Sequence, residues 1–155
     1  MDIKAIVKRL VSQFGTNDPF QICEKRNILI FDEPLGNILG YYNMIRRIPM
    51  IHLNECLHDE PVWRRFVCAH ELGHAVLHPK VNTPHLRKNT LFSVNRIERE
   101  ANTFAVELLA NDDAVREYGY STAREVAAAF GIPHEYISLK RLIFLHPKYE
   151  HMFGE

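Results

Sequence analysis

Val67-Cys68-Ala69-His70-Glu71-Leu72-Gly73-His74-Ala75-Val76-Leu77-His78 is the stretch on which the fold turns. It lies inside an apolar pattern running from Val62 to Leu77, opened by Glu60 and Pro61 with Asp59 placed to cap the first turn, and closed by Pro79. Apolar residues fall on nearly every side of this helix, so it should be central. His70 and His74 stand one turn apart on one face and can share a zinc ion, with Glu71 beside the metal rather than bound to it. From there a carboxylate can take a proton from an attacking water and later return it to a leaving amine. Unpaired His and Glu would be costly in so apolar a helix, which weighs against an accidental motif.

His78 continues the i+4 series, but the intervening helix places it about 12 Å from His70 along the axis, too far for both to reach one ion. It reads instead as a helix C-terminal histidine that meets the last carbonyls or caps the cleft. A third ligand must come from another element. The pattern from about Asn95 to Asn111 is a second helix, and in it Glu98 shares an arc with Asn102, Ala105 and Leu109, whereas Glu100 shares one with Arg96, Thr103 and Glu107. Glu98 then faces inward and Glu100 faces water. Asn95 with Glu98 also fits a capping box; beside a two-histidine motif that lacks a ligand, metal binding is the stronger reading. Asn102, one turn after Glu98, can hold a ligand histidine in one tautomer and orientation. Ala101 and Ala105 let this helix approach the first closely.

Before the motif, Ile3, Ile6, Val7, Leu10, Val11 and Phe14 recur at helical spacing and stop at Gly15. Asn27–Phe31, Ile38–Met44 and Ile48–Leu53 read as short strands, the last two joined by a turn at Arg46-Arg47. Residues 79–94 form a long connection of the kind that in a compact domain is functional or mobile. From Ser121 two short helices follow, the first ended by Gly131 and the second started by Pro133. The expected fold is α+β: a small three-stranded twisted sheet packed on a helical core. Residues 1–155 are read as one domain, with the N-terminal helix and sheet in 1–57, the zinc-binding helices in 58–111 and a helical C-terminal part in 112–155.

Composition bounds the partners. Nineteen basic and 19 acidic side chains cancel, which removes the long-range attraction a nucleic-acid or acidic-membrane binder uses. Cys23, Cys56 and Cys68 are odd in number and contain no CxxC pair, so neither a disulfide framework nor a cysteine metal knuckle is suggested. Cys68 is expected to be a small buried residue. With no signal-peptide pattern and no long uncharged apolar run, a cytoplasmic protein is expected.

Arg65 to His74 through Leu77-His78, followed by Glu98-Arg99-Glu100-Ala101-Asn102-Thr103-Phe104-Ala105-Val106-Glu107-Leu108-Leu109, resembles the ImmA/IrrE family of metallo-endopeptidases. The resemblance is strong over about residues 45–110 and extends to the flanking elements in order only. It implies a minimal gluzincin-like fold, zinc held by His70, His74 and Glu98, and Glu71 as catalytic base. It further implies a cytoplasmic protease acting on a transcriptional repressor, often one encoded beside it on a phage or mobile element. Where the family commonly closes its second helix with Leu-Leu-Met-Pro, this chain has Leu108-Leu109-Ala110-Asn111.

The protein substrate is expected to bind as an extended strand along a sheet edge, with Ile48–Leu53 taken as that edge. Tyr118, Tyr120, His85 and His134 are candidates for an oxyanion donor. Two other readings compete. The first is a DNA-binding module in which Val126 to Ile137 and a second helix over Glu135–Leu142 form a helix-turn-helix, disfavoured by a net charge of −2 over residues 112–155 (five basic, seven acidic). The second is a zinc-binding regulator that binds a repressor without cleaving it. Oligomeric state, substrate and cleavage site are not written in the motif.

Overall fold

The computed structural model describes residues 1–82, 96–118 and 122–140. Most of the 79–94 connection, Asn95 with its capping box, His85, Tyr120, Arg141 and Leu142 lie outside the described residues, as does the side chain of Tyr118.

Helix α1 (Ile3–Phe14) starts where the Asp2 carboxylate accepts from Ala5 N at 3.1 Å and stops at Gly15, whose φ of +69° only glycine adopts freely. A helix not expected from periodicity follows, α2 (Pro19–Lys25), capped by Asp18 with Pro19 in its first turn. That Asp-Pro pair was the readable signal. Strands β1 (Leu29–Glu33), β2 (Gly40–Ile45) and β3 (Ile48–Asn54) form one mixed sheet in the order β1-β3-β2. β1 runs parallel to β3, and β2 pairs with it antiparallel from Gly40↔Leu53 to Ile45↔Ile48. The expected edge therefore proves to be the middle strand. Pro49 argues locally for an edge, but the β1 register begins at Met50, so the missing proline N–H is never asked to serve β1. The free edges are β1 and β2.

Arg46 and Arg47 join β2 to β3 with φ of +51° and +66°, the backbone of a two-residue type I′ turn. Side chains other than glycine in that region cost about 1–2 kcal/mol each.

After a 3₁₀ turn at Glu55–Asp59 comes α3 (Pro61–Leu77). Asp59 ends that turn instead of capping the helix; Glu60 holds the cap position without a side-chain bond, and Pro61 sets the first turn. Every residue of α3 from Phe66 to Ala75 is buried, so the helix is enclosed on all sides, as its apolar pattern required. α4 (Arg96–Leu109) lies against it, and the meeting point is Gly73. A Cβ there would stand 3.0–3.1 Å from Cβ, Cγ and Cδ1 of Phe104, so glycine sets how near the two backbones come.

α5 (Asp112–Tyr118) opens directly after α4, with Asn111 Oδ1 accepting from Asp113 N at 2.8 Å. α6 (Ala123–Phe130) is capped by Thr122 and, as expected, ended by Gly131 at φ +67°. The described part of the proposed recognition helix over Glu135–Leu142 is instead a 3₁₀ segment, His134–Leu139, too short and too tightly wound to lie along a groove. Its Tyr136 packs on Phe66 of α3 with ring centroids 4.5 Å apart, which burial favours over presentation to solvent. Among the described residues no helix is long and apolar enough to cross a membrane.

Candidate metal centre

α3 brings His70, Glu71 and His74 to the interior, and their ligand-capable atoms lie within 4.8 Å of one another. α4 faces them with Glu98 and Asn102, one helical turn apart. His74 Nε2 is 2.9 Å from Glu98 Oε1, His70 Nε2 is 3.2 Å from Glu98 Oε2, and the two Nε2 atoms are 3.1 Å apart. On its far side, the His70 ring donates from Nδ1 to Asn102 Oδ1 at 2.7 Å. That bond places the proton on Nδ1 and leaves Nε2 as a lone pair aimed at Glu98 and His74. All four side chains, and Glu71 with them, are buried.

The hydrogen-bond accounting inside the cluster does not close on protons alone. Both Glu98 oxygens and the His70 Nε2 lone pair converge on one small space, and the His74 ring can offer only one Nε2 proton to them. Neither Glu98 oxygen accepts a well-aligned hydrogen bond despite those short approaches, and His74 Nδ1 has no partner among the described residues. Two imidazole nitrogens and a carboxylate converging in this way, buried and short of protons, fit a divalent cation of the kind nitrogen and oxygen donors hold.

Electrostatics agree. Burial alone would raise the Glu98 carboxyl, but the two imidazoles against it pull it down to about 2. Burial drives His74 down to about 4, with Glu98 opposing and the neighbouring imidazoles adding to the drop. Burial would lower His70 as well, yet Glu98, Glu71 and Asn102 together carry it above its ordinary 6.5. The carboxylate and one imidazole are thus ready to bind a cation near neutral pH, and at the His70 Nε2 lone pair a cation competes with a proton that these neighbours favour.

Three neighbours differ from expectation. Glu100 does not face water: only 12% of its side chain is exposed, its Oε2 is 2.7 Å from His78 Nε2, and its Oε1 accepts from Arg96 Nε at 2.6 Å. His78 is therefore the α3 C-cap residue whose ring is tied across to α4, not one that meets the last carbonyls with its side chain. Glu107, on the same supposed outer arc, is 6% exposed and bonds Lys140 Nζ at 2.7 Å. Lys140 is fully buried, also paired with Asp112, and so is not available to a phosphate. His134 is exposed at the start of its 3₁₀ segment, away from the packed residues of that turn. Cys68 is buried as expected, and burial together with the adjacent Cys23 thiol pushes its pKa up, keeping it a neutral thiol.

A central helix with the His-Glu-x-x-His spacing, answered by a glutamate from a facing helix on a small mixed sheet, defines a metallopeptidase. The chain belongs to the ImmA/IrrE family of these enzymes: the family model for the IrrE N-terminal-like domain, peptidase M78, matches residues 23–140. It is 43% identical over 143 residues to Uncharacterized immunity region protein 2 of Bacillus phage phi105, spanning 90% of this chain and 89% of that one. It is 32% identical over 138 residues to Metallopeptidase ImmA of Bacillus subtilis (strain 168), spanning 84% of this chain and 79% of that one. No solved structure matches it significantly. A metallopeptidase of this family acts on a protein substrate and uses a metal.

Proposed function

We propose that this protein is a cytoplasmic zinc endopeptidase that cleaves a helix-turn-helix transcriptional repressor in a phage, mobile-element or stress-response circuit. The observation that carries the catalytic part is the convergence of His70, His74 and Glu98 within 3.2 Å of one another, with Glu71 buried beside them. The circuit is supported by the kinship with a phage immunity-region protein and with ImmA. His70, His74 and Glu98 would hold the zinc, which when bound supplies a Lewis acid that polarises a carbonyl and makes water more acidic.

The chain's own residues do the rest. Asn102 keeps the His70 ring in one tautomer and orientation, because its Oδ1 accepts from Nδ1 and from no other ring atom. Glu71, on the turn between the two histidines and shielded from bulk solvent, accepts the proton of the attacking water as a C–O bond forms. It gives that proton to the amide nitrogen as the C–N bond breaks. The substrate lies along β2, the free edge that follows α3 from Val67, packed against Gly40, to Pro79, whose carbonyl accepts from the Tyr42 hydroxyl at 2.7 Å. Asn82 Oδ1 already accepts from Met44 N at 3.1 Å, as the carbonyl of an incoming strand would.

The test is digestion of purified helix-turn-helix repressors from the same genome, with fragments read by mass spectrometry. Zinc-loaded wild type should cut one of them at a defined bond, while Glu71→Gln should keep its zinc and cut none. Cleavage by Glu71→Gln at the wild-type rate would remove Glu71 from the mechanism; repressor binding without cleavage by either protein would make it a silent regulator.

A further inference from the structure

The tip of the β2–β3 hairpin is built for something other than turning the chain. Its two-residue type I′ connection favours Asn-Gly, because both positions need positive φ. Arg46 and Arg47 hold them instead, at φ +51° and +66°. Both are exposed, and neither has an ion-pair or hydrogen-bond partner among the described residues. Ile45 and Ile48, the cross-strand pair beneath them, are 52% and 48% exposed.

The same sheet face continues the apolar surface. Ile48, Met50 and His52 alternate to one side of β3, opposite the buried Ile51 and Leu53, and Leu29 and Phe31 of β1 stand in register with Met50 and His52. Leu29 and Phe31 are themselves 48% and 40% exposed, so four of the exposed large apolar side chains among the described residues lie on this one face. The carboxylate on this face, Glu33, meets the His52 ring at 2.5 Å and stands in register with Asn54, at the opposite end of β3 from the tip, so it does not pair with Arg46 or Arg47. The tip is also placed beside the candidate centre's helix: Met44, next to Ile45, bonds Asn82 just beyond the end of α3.

We propose that Arg46 and Arg47, with Ile45, Ile48 and Leu29, form a docking site, outside the cleavage cleft, for an acidic segment of the protein substrate that carries interspersed apolar side chains. Paired exposed isoleucines favour such a peptide over a phosphate backbone, which offers nothing apolar to cover them. The role of the partner as substrate rests on the peptidase reading; the binding itself does not.

Fluorescence anisotropy tests it with the metal-loaded full chain carrying Glu71→Gln, so that no probe is cut. The probes are a fluorescein-labelled peptide of repeated Glu-Leu-Glu, its Lys-Leu-Lys counterpart and a random DNA duplex. The comparison protein adds Arg46→Asn with Arg47→Gly, a pair the turn prefers, so loss of binding cannot come from loss of the hairpin; its Tm should stay equal or rise. At about 50 mM salt the acidic peptide should bind the arginine form about tenfold more tightly than the Asn-Gly form, and the gap should close near 0.5 M salt. Equal affinity of the two proteins, equal binding of the basic peptide, or tighter arginine-dependent binding of the duplex would each overturn the proposal. Acidic-peptide binding in a protein whose Glu71 form cleaves nothing would leave the docking site standing and remove only the peptidase reading.

Discussion

Replacing Gly73 by alanine adds one methyl group at the point where α3 and α4 touch. Its carbon would stand 3.0–3.1 Å from three atoms of Phe104, where ordinary carbon contacts are about 3.5–4.0 Å, so roughly 0.5 Å of separation must be found. Phe104 cannot escape by a rotamer change alone, because one of the three atoms is its Cβ, which moves only with the α4 backbone. Overpacking of this kind costs about 1–3 kcal/mol, and the better helix propensity of alanine returns about 1 kcal/mol. The net loss is about 0–2 kcal/mol, a fall in Tm of up to about 8 °C for a chain of this size. The larger effect belongs to the metal centre. Glu98 and Asn102 ride on α4, and a shift of about 0.5 Å exceeds the roughly 0.2 Å tolerance of metal–ligand distances, so zinc affinity should fall about 10- to 100-fold. Competition with a chromophoric chelator measures the affinity and calorimetry the Tm. Adding Phe104→Leu should recover part of both, since it trims the ring that the methyl meets. Should Gly73→Ala bind zinc as wild type does and melt higher, helix propensity alone governs the site and the close-approach argument is wrong.

Zinc uptake should depend on pH in two steps. Glu98 is held at about 2 and stays ionised, whereas His70 is raised above 6.5 and must lose its proton to bind, so affinity is flat above the His70 value and falls about tenfold per pH unit below it. Below about 4, where His74 also takes a proton, the slope should double. Affinity unchanged from pH 8 down to pH 5 would exclude His70 as a ligand. Lys140→Met should cost about 3–5 kcal/mol in denaturant unfolding, because it leaves the buried Glu107 carboxylate without its main cation; Lys4, 3.9 Å away and half exposed, holds the loss to the lower end. Adding Glu107→Leu should restore most of that stability, and a loss below about 1 kcal/mol for the single change would contradict the buried pair.

Helices α1, α3, α4 and α6 were legible because their signals are local. Apolar spacing, a proline in the first turn and a glycine after the last act over a few residues, and the structure repeats them at Pro61, Gly15 and Gly131. The inward face of Glu98 and Asn102 was legible for the same reason, since one arc of α4 carries both toward α3. The arc argument failed at Glu100 and Glu107. A helix can be covered on more than one side, and what covers those carboxylates comes from the end of α3 and from Lys140, 33 residues beyond Glu107.

By itself, then, the sequence determined the central helix, the histidine pair on one of its faces, the glutamate opposite and the family to which the chain belongs. Tertiary structure alone decided that β3 is the middle strand, that β2 is the edge beside the site, that Lys140 is buried and that His78 is tied to Glu100. The physical reason is range. Propensity, capping and periodicity are energies of a residue and its near neighbours, but strand order and the burial of a charge depend on which distant surfaces meet, and no local pattern encodes the partner.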